Sequence, residues 1–276
     1  MHNAAYEELG LNWVYLPFPA PDTGALLAIT DAARRIPCVG FNVTMPHKQA
    51  MLDLCDEVAT LARMAGAVNT VHCVDGRLIG YNTDGRGLLE SLAADLDCDP
   101  AGASVAIIGA GGGAGAAATA FILGKAARLT IVNRNVLHAE TVLARVEHAL
   151  RGMEVAACAL DDGAAEAVRS ADIVVNATPV GMREGDPSPI PAEWLRSGQV
   201  VYDMVYHRPS TRFVEDAQAA GARGVTGLGM LVCQGALAID IWAGGERAQD
   251  ETPRDVMRAA ALAALEAEGA EAGETP

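Results

Sequence analysis

The chain is 276 residues long and 51% apolar, enough for a sizeable core in one large domain or two of ordinary size. Against 20 basic residues stand 35 acidic ones, and a net charge of −15 with no basic stripe argues against a nucleic-acid partner. No hydrophobic run reaches membrane-spanning length and the polar start MHNAAYEELG does not read as a signal peptide, so no membrane partner is expected. The six cysteines (Cys38, Cys55, Cys73, Cys98, Cys158 and Cys233) form no CxxC; four adjoin apolar residues as buried free thiols do, which predicts a reducing, cytoplasmic setting.

In chain order, Ala4 to Leu11 predicts a short helix, Trp13–Pro17 (WVYLP) a strand ended by proline, and Thr23 to Ile36 a helix. Val39 to Thr44 predicts a strand, followed by a helix through MPHKQAMLDLCDEV with Pro46 at its start. Ala67–Val74 and Leu78–Tyr81 are strand-like, and the Asp75-Gly76 pair between them is a hairpin signal. A helix from Gly85 to Leu96 then bridges to a second unit through a loop containing Pro100. In that unit six strands are expected, at Val105–Ile108, Leu129–Val132, Glu154–Leu160, Asp172–Asn176, Val200–Met204 and near Arg223–Thr226, separated by helices. An apolar helix from Met230 to Trp242 and an alanine-rich one from Arg254 to Glu268 follow, and Gly269–Pro276 reads as a disordered tail.

The stretch Ser104–Asn135 carries the strongest motif. Strand, glycine cluster, alanine-rich helix and second strand form the first half of a dinucleotide-binding fold. Gly109 lets the backbone turn off the strand, Gly111 leaves room for a pyrophosphate, and Ala114 stands where a third glycine is common. The helix start, with Ala110, Gly112 and Gly113, offers free N–H groups to phosphates. NAD usually requires an acidic residue at the end of the second strand, but no Asp or Glu occurs between Gly109 and His138. Asn133 and Arg134 stand there instead, and a guanidinium suits a 2′-phosphate, so NADP is expected over NAD unless Arg134 is simply a solvated loop residue.

A dinucleotide enzyme also needs a polar pocket and a proton-carrying group. Thr44, Lys48, Asn69, Asn82, Thr83, Asp84 and Gln234 sit at element ends in apolar surroundings. Lys48 and Asp84 form the candidate acid–base pair. On the residues alone Lys48 also reads as a surface helix lysine, Asp84 as a helix cap, Asn69 as a turn residue and Gln234 as a satisfied core glutamine. His47 adjoins Lys48 but, as a helical neighbour about 100° away, should face elsewhere. The histidines show no metal-ligand spacing, so no metal is expected.

Together these stretches resemble the shikimate dehydrogenase family. The resemblance runs from Met1 to about Trp242 through MHNAAYEELGLNWVYLPF, GFNVTMPHK, AGAVNTV, GYNTDGRGLL, IIGAGGGAGAAA, VNRN, VNATPVGM, YDMVYHRPSTRF and GLGMLVCQGALAIDIW. It implies an α/β protein with an N-terminal substrate domain (residues 1–84), a linking helix and loop (85–100), a Rossmann NADP-binding domain (101–228) and C-terminal helices (229–268) returning to the substrate domain. It implies Lys48 and Asp84 as the catalytic pair, and Thr44, Lys48, Asn69, Asp84, Tyr206 and Gln234 as substrate ligands. Gly109, Ala110, Gly111, Gly112 and Gly113 would hold the pyrophosphate, Asn133 and Arg134 the 2′-phosphate, and Thr178, Met204 and Gly227 the nicotinamide end, with Met230 a further candidate there. The implied reaction is reversible hydride transfer between shikimate and NADP, by a monomer or homodimer.

Two departures stand out. The family usually opens with a strand and a Ser-x-Ser segment just before the MHNAA motif, whose hydroxyls bind the substrate carboxylate; this chain starts at MHNAA, so either its start is misassigned or its substrate domain is truncated. His138 stands where the family often carries another Arg or Lys, which leaves dual NAD and NADP use open. Quinate or an aminated analogue as substrate, and a non-catalytic nucleotide-binding module, are the competing readings.

Overall fold

The computed structural model describes residues 1–150, 152–161, 163–244 and 252–273. Two sheets organise the chain. The first has four strands, β1 (Gly40–Asn42), β2 (Glu57–Val58), β3 (Thr70–Val74) and β4 (Arg77–Tyr81), in the order β1-β3-β4-β2. β3 and β4 form the expected hairpin; Asp75 and Gly76 at its tip have φ of 51° and 76°, the left-handed pair of a type I′ turn. The helices α1 (His2–Glu8), α2 (Thr23–Ala33), α3 (Met51–Leu54) and α4 (Thr60–Ala65) accompany this sheet, with Leu26, Met51, Val68, Val71 and Leu78 in its core.

The second sheet is wholly parallel. Its strands are β5 (Ser104–Ile108), β6 (Arg128–Asn133), β7 (Glu154–Ala159), β8 (Ile173–Asn176), β9 (Val200–Asp203) and β10 (Arg223–Thr226), in the order β10-β9-β8-β5-β6-β7. Between them lie α6 (Gly112–Leu123), α7 (Val136–Val146), α8 (Ala164–Ser170) and α9 (Arg212–Ala219), the last capped by the Thr211 hydroxyl. Strands buried on both faces need continuous apolar runs, and Val105–Ile108 and Ile173–Val175 supply them. The strand order reverses between β5 and β8, so a crevice opens at their carboxyl ends, where such sheets bind ligands.

Three further helices join the sheets: α5 (Asp84–Leu96), α10 (Leu228–Trp242) and α11 (Arg254–Gly273). α5 crosses α10 closely because of Gly87, where a Cβ would lie 2.8 Å from the Gln234 nitrogen. α10 is buried almost all round, and its Trp242 Nε1 donates to the Val71 carbonyl of β3 at 2.8 Å. Tyr202, wholly buried on β9, ties the bundle to the second sheet. Its oxygen accepts from the Met230 N–H at 3.1 Å and its hydroxyl reaches Ser91 Oγ at 2.7 Å. Ser91 donates to Asp95 at 2.6 Å, and Arg258 of α11 holds the same carboxylate at 2.7 Å.

Several expectations are corrected. WVYLP is not a strand: the Asn3 side chain takes both the N–H and the carbonyl of Tyr15, and Val14, Leu16 and Phe18 are exposed. The helix expected through MPHKQAMLDLCDEV is a run of turns followed by α3 alone. The chain is drawn out at Asp56, whose N–H donates to Leu78 and whose carboxylate receives the Leu78 N–H and Arg34, so that β2 can pair with β4. The tail expected to be disordered continues α11 to Gly273, as its alanines and glutamates favour, while residues 274–276 lie outside the described residues. Of the six cysteines only Cys233 is buried; the other five are partly exposed. Among the described residues no helix is long and apolar enough to cross a membrane.

Tyr202→Phe should leave the Met230 N–H buried and unpaired. It should lower stability by ~1–3 kcal/mol, read as a lower urea midpoint at an unchanged m-value.

Candidate active site

The first sheet, α5 and α10 bring four sequence-distant side chains together. Lys48 lies in the turns after β1, and its carbonyl accepts from the Val68 N–H at 2.8 Å, which fixes that segment against the approach to β3. Its Nζ stands 2.9 Å from Asp84 Oδ2. Asp84 opens α5, with its side chain 7% exposed against 23% for Lys48. The other carboxylate oxygen accepts from Asn69 Nδ2 at 2.7 Å. The same amide nitrogen also faces Thr83 Oγ1 at 2.9 Å and Gln234 Oε1 at 3.2 Å, so its two hydrogens are shared among three acceptors. A carboxylate this far from water needs a charge partner and hydrogen bonds, and it has both.

Asp84 is therefore not the helix cap that its position allows. Thr83 occupies the cap position, and the Asp84 N–H is taken by Asn82 Oδ1 at 3.1 Å. Asn69 is more than a turn residue, since its Oδ1 accepts from the Thr83 N–H at 2.9 Å and the Thr70 hydroxyl at 3.0 Å. Gln234 is half-buried, with its amide donating to Leu231 O at 2.8 Å and its oxygen turned to Asn69. His47 stands with Lys48 in a run of turns rather than on a helix, and its Nε2 lies 2.7 Å from the Ala20 carbonyl. Tyr206, after β9, is close enough to feel the charges of both Lys48 and Asp84. Burial raises its pKa, so its phenol stays a neutral donor through neutral pH. Thr44 is exposed, outside this network.

A second tier escaped the sequence reading. Asn42 of β1 donates to Thr70 Oγ1 at 3.1 Å and to the Asn69 carbonyl at 3.2 Å, and accepts from the Tyr15 hydroxyl at 3.0 Å. The available signal was Asn42 itself, a polar residue in the middle of the strand GFNVT.

The glycine turn lies beside this cluster. Gly109 leaves β5 at φ 110°, its N–H donating to Val132 O at 2.8 Å, and a Cβ on it would sit 2.9 Å from Thr178 Cγ2. Met204 lies by Gly113, 3.3 Å from where a Cβ would be, and a Cβ on Gly227 would lie 2.5 Å from the Met204 carbonyl oxygen. The turn thus collects Gly109, Ala110, Gly111, Gly112, Gly113, Thr178, Met204 and Gly227. Asn133 ends β6 next to it and bonds locally to Asn135 O at 2.8 Å, while Arg134 is exposed. A Cβ on Gly111 would meet nothing within 4 Å. The protein leaves that space open at the start of α6, where N–H groups face outward, and the residues present fit a dinucleotide pyrophosphate. The turn and the acid–base cluster touch through Ala67: its carbonyl accepts from Asn82 at 2.9 Å, and its methyl lies 3.6 Å from a Cβ placed on Gly112.

Fold and site together define a two-sheet α/β protein in which a dinucleotide turn faces a lysine–carboxylate pair. Comparison with known proteins narrows this. Residues 1–71 match the model of the shikimate dehydrogenase substrate binding domain, and residues 91–181 that of shikimate / quinate 5-dehydrogenase. The shikimate dehydrogenase (NADP(+)) of Methanopyrus kandleri is 43% identical over 95% of this chain and 89% of its own length. The Thermus thermophilus shikimate 5-dehydrogenase solved with NADP(H) and shikimate is 35% identical, with a TM-score of 0.83 over 95% of this chain and 92% of that one. A Gluconobacter 5-ketofructose reductase, in ligand-free form, is 36% identical, with a TM-score of 0.79 over 94% of this chain and 91% of its own. The chain belongs to the shikimate dehydrogenase family.

The turn glycines should separate by substitution. Gly109→Ala, with its positive φ and the Thr178 contact, should cost ~1–3 kcal/mol of stability. Gly111→Val should leave stability within about 0.5 kcal/mol while weakening dinucleotide affinity about tenfold or more. Denaturation and fluorescence titration with NADPH check both.

Proposed function

We propose that this chain is an NADP-dependent oxidoreductase that transfers a hydride reversibly between shikimate and 3-dehydroshikimate. The observation that carries the proposal is the Lys48–Asp84 pair, 2.9 Å apart, held in a half-dry cleft beside the glycine turn. Residues 1–84 with the returning helices form the substrate side and residues 101–228 the cofactor side. A reducing, cytoplasmic setting fits six cysteines that are all free.

In this reading NADPH, when bound, supplies the hydride. Lys48 Nζ carries the proton that must reach the oxygen at C3 as the carbonyl is reduced, and takes it back in the oxidative direction. Asp84 holds Lys48 in place and offers its carboxylate to the neighbouring hydroxyl. Asn69, Gln234 and the neutral Tyr206 supply further hydrogen bonds to the ring hydroxyls, and Thr44 closes the set from outside the network. Gly109 to Gly113 take the pyrophosphate, Thr178, Met204 and Gly227 flank the nicotinamide, and Asn133 and Arg134 meet the 2′-phosphate. Such a site discriminates well against substrates that lack a hydroxyl it is built to bind, because its buried polar groups would then go unpaired.

Quinate with NAD is the competing substrate and cofactor pair. The exposed position of Arg134, and a histidine at position 138 in place of a second Arg or Lys, favour its inclusion as a test.

Lys48→Ala should lower kcat by about 10²–10⁴ with the fold intact by circular dichroism. Unchanged turnover would remove the acid–base assignment, whereas no turnover in the unaltered chain would favour a non-catalytic module. Arg134→Ala should reduce kcat/KM for NADPH about tenfold or more and leave NADH little changed. Steady-state kinetics on shikimate and quinate with both cofactors measure this; a kcat/KM for quinate with NAD equal to or above that for shikimate with NADP would overturn the proposed pairing.

A further inference from the structure

Away from the cleft, at the far end of the β1–β3 pair, a second cluster of reactive groups lies. Cys38 leads into β1 and Cys73 belongs to β3, and the two sulfurs are 3.9 Å apart. The Cys73 N–H donates to the Val39 carbonyl at 2.9 Å, so Cys38 lies one residue before the partner of Cys73. The two sulfurs already lie within contact distance, and a disulfide requires their approach to about 2.05 Å. Both thiols are partly exposed and open to a small reagent.

We propose that Cys38 and Cys73 form a dithiol site that closes to a disulfide by exchange with a low-molecular-weight disulfide of the glutathione class. The Cys38 thiolate attacks one sulfur of the reagent; the reagent's S–S bond breaks, and one small thiolate leaves with the electron pair and takes up a proton. Cys73 then gives up its proton and attacks Cys38 Sγ. The mixed disulfide breaks and the second small thiol departs. Two cysteines are oxidised by two electrons in all, and one small disulfide is reduced to two thiols.

The surroundings assign these roles. The Cys73 thiol donates to Cys38 Sγ, which draws the Cys38 thiol down to about 7, while the same bond and burial keep Cys73 protonated. The Arg34 guanidinium acts on Cys73 in the opposite sense, favouring its thiolate once Cys38 no longer needs the proton. Cys55 lies near enough to interact with Cys73, but burial and Asp56 push it up to about 11 and make it a bystander. The closed bridge would staple the segment from Cys38 to Cys73, which carries Lys48 and Asn69. It would sit beyond the Gly40↔His72 pair, leaving the Asn42↔Thr70 end free for the site. A cross-link of this kind restricts the unfolded chain and so raises Tm.

The test uses the full chain, treated with oxidised glutathione at neutral pH, alkylated, digested and mapped by mass spectrometry. The expected result is one cross-linked peptide pair joining Cys38 to Cys73, a free-thiol content lower by two, a Tm higher by several degrees, and reversal by dithiothreitol. Cys73→Ser should trap a glutathionyl adduct on Cys38, and Cys38→Ser should slow the loss of the Cys73 thiol about tenfold or more. A bridge through Cys55, lasting adducts on both cysteines of the unaltered chain, faster reaction at Cys98 or Cys158, or a lowered Tm would overturn the proposal.

Discussion

The charge of Asp84 is the constraint on which the rest depends. A carboxylate at the start of a buried helix is costly unless its charge is matched and both oxygens are bonded. Lys48 matches the charge and Asn69 takes the second oxygen, while Gln234, 165 residues further on, closes the set through Asn69. Satisfying one group therefore requires the turn after β1, the approach to β3, the start of α5 and the middle of α10 to meet. The contacts that assemble the site are thus also contacts that join these elements. Asn42, Thr70 and Thr83 then fix Asn69 from behind.

Close packing does the rest. At Gly85 a Cβ would lie 2.9 Å from the Ala116 carbonyl, at Gly87 2.8 Å from the Gln234 nitrogen, and at Gly115 2.1 Å from the Ala65 carbonyl. Each would collide with backbone, which cannot move aside as a flexible side chain can. The absence of side chains lets α5 lie on both α6 and α10, and lets α6 touch the end of α4. The glycine cluster of the second sheet thus has two physical roles along its length. Gly111 keeps space open for a ligand, and Gly115, four residues on, keeps it closed to anything but the neighbouring helix.

Much of this was legible in the sequence because it is local. Val105–Ile108 and Ile173–Val175 are continuous apolar runs that only a doubly covered strand explains, and Asp75-Gly76 fixes a hairpin by its left-handed backbone. The misreadings came where tertiary hydrogen bonds overrode local preference. WVYLP has strand composition, yet the Asn3 amide satisfies its backbone. Pro46 suggests a helix start, but Asp56 pulls the chain toward β4 before a long helix can form. The site was half legible. Lys48 and Asp84 stood out as polar residues at element ends, but which of their competing readings held depended on a partner thirty-six residues away. Asn42 and Thr70 carry only a weak local signal, because a polar residue on a strand reads as solvent-facing until its neighbour is known.

The acidity of the chain sharpens what the proposed cofactor demands. A dinucleotide phosphate brings several negative charges to a protein whose net charge is −15. At physiological ionic strength charges farther than about 8 Å are largely screened, so the global repulsion chiefly slows encounter, and affinity is decided by the groups in contact. In the proposed reading those are few: the outward N–H groups at the start of α6, the open face of Gly111, and Arg134. The amide of Asn133 is already turned to Asn135 O. Preference for the 2′-phosphate then rests on one exposed guanidinium, aided by the want of any carboxylate between Gly109 and His138 to repel it. The proposed substrate ligands, by contrast, are mostly spread over a buried, mutually bonded network. On the proposed assignments the two specificities have unequal redundancy: loss of one side chain would erase the choice of cofactor, whereas the choice of substrate would be shared among residues that hold one another in place.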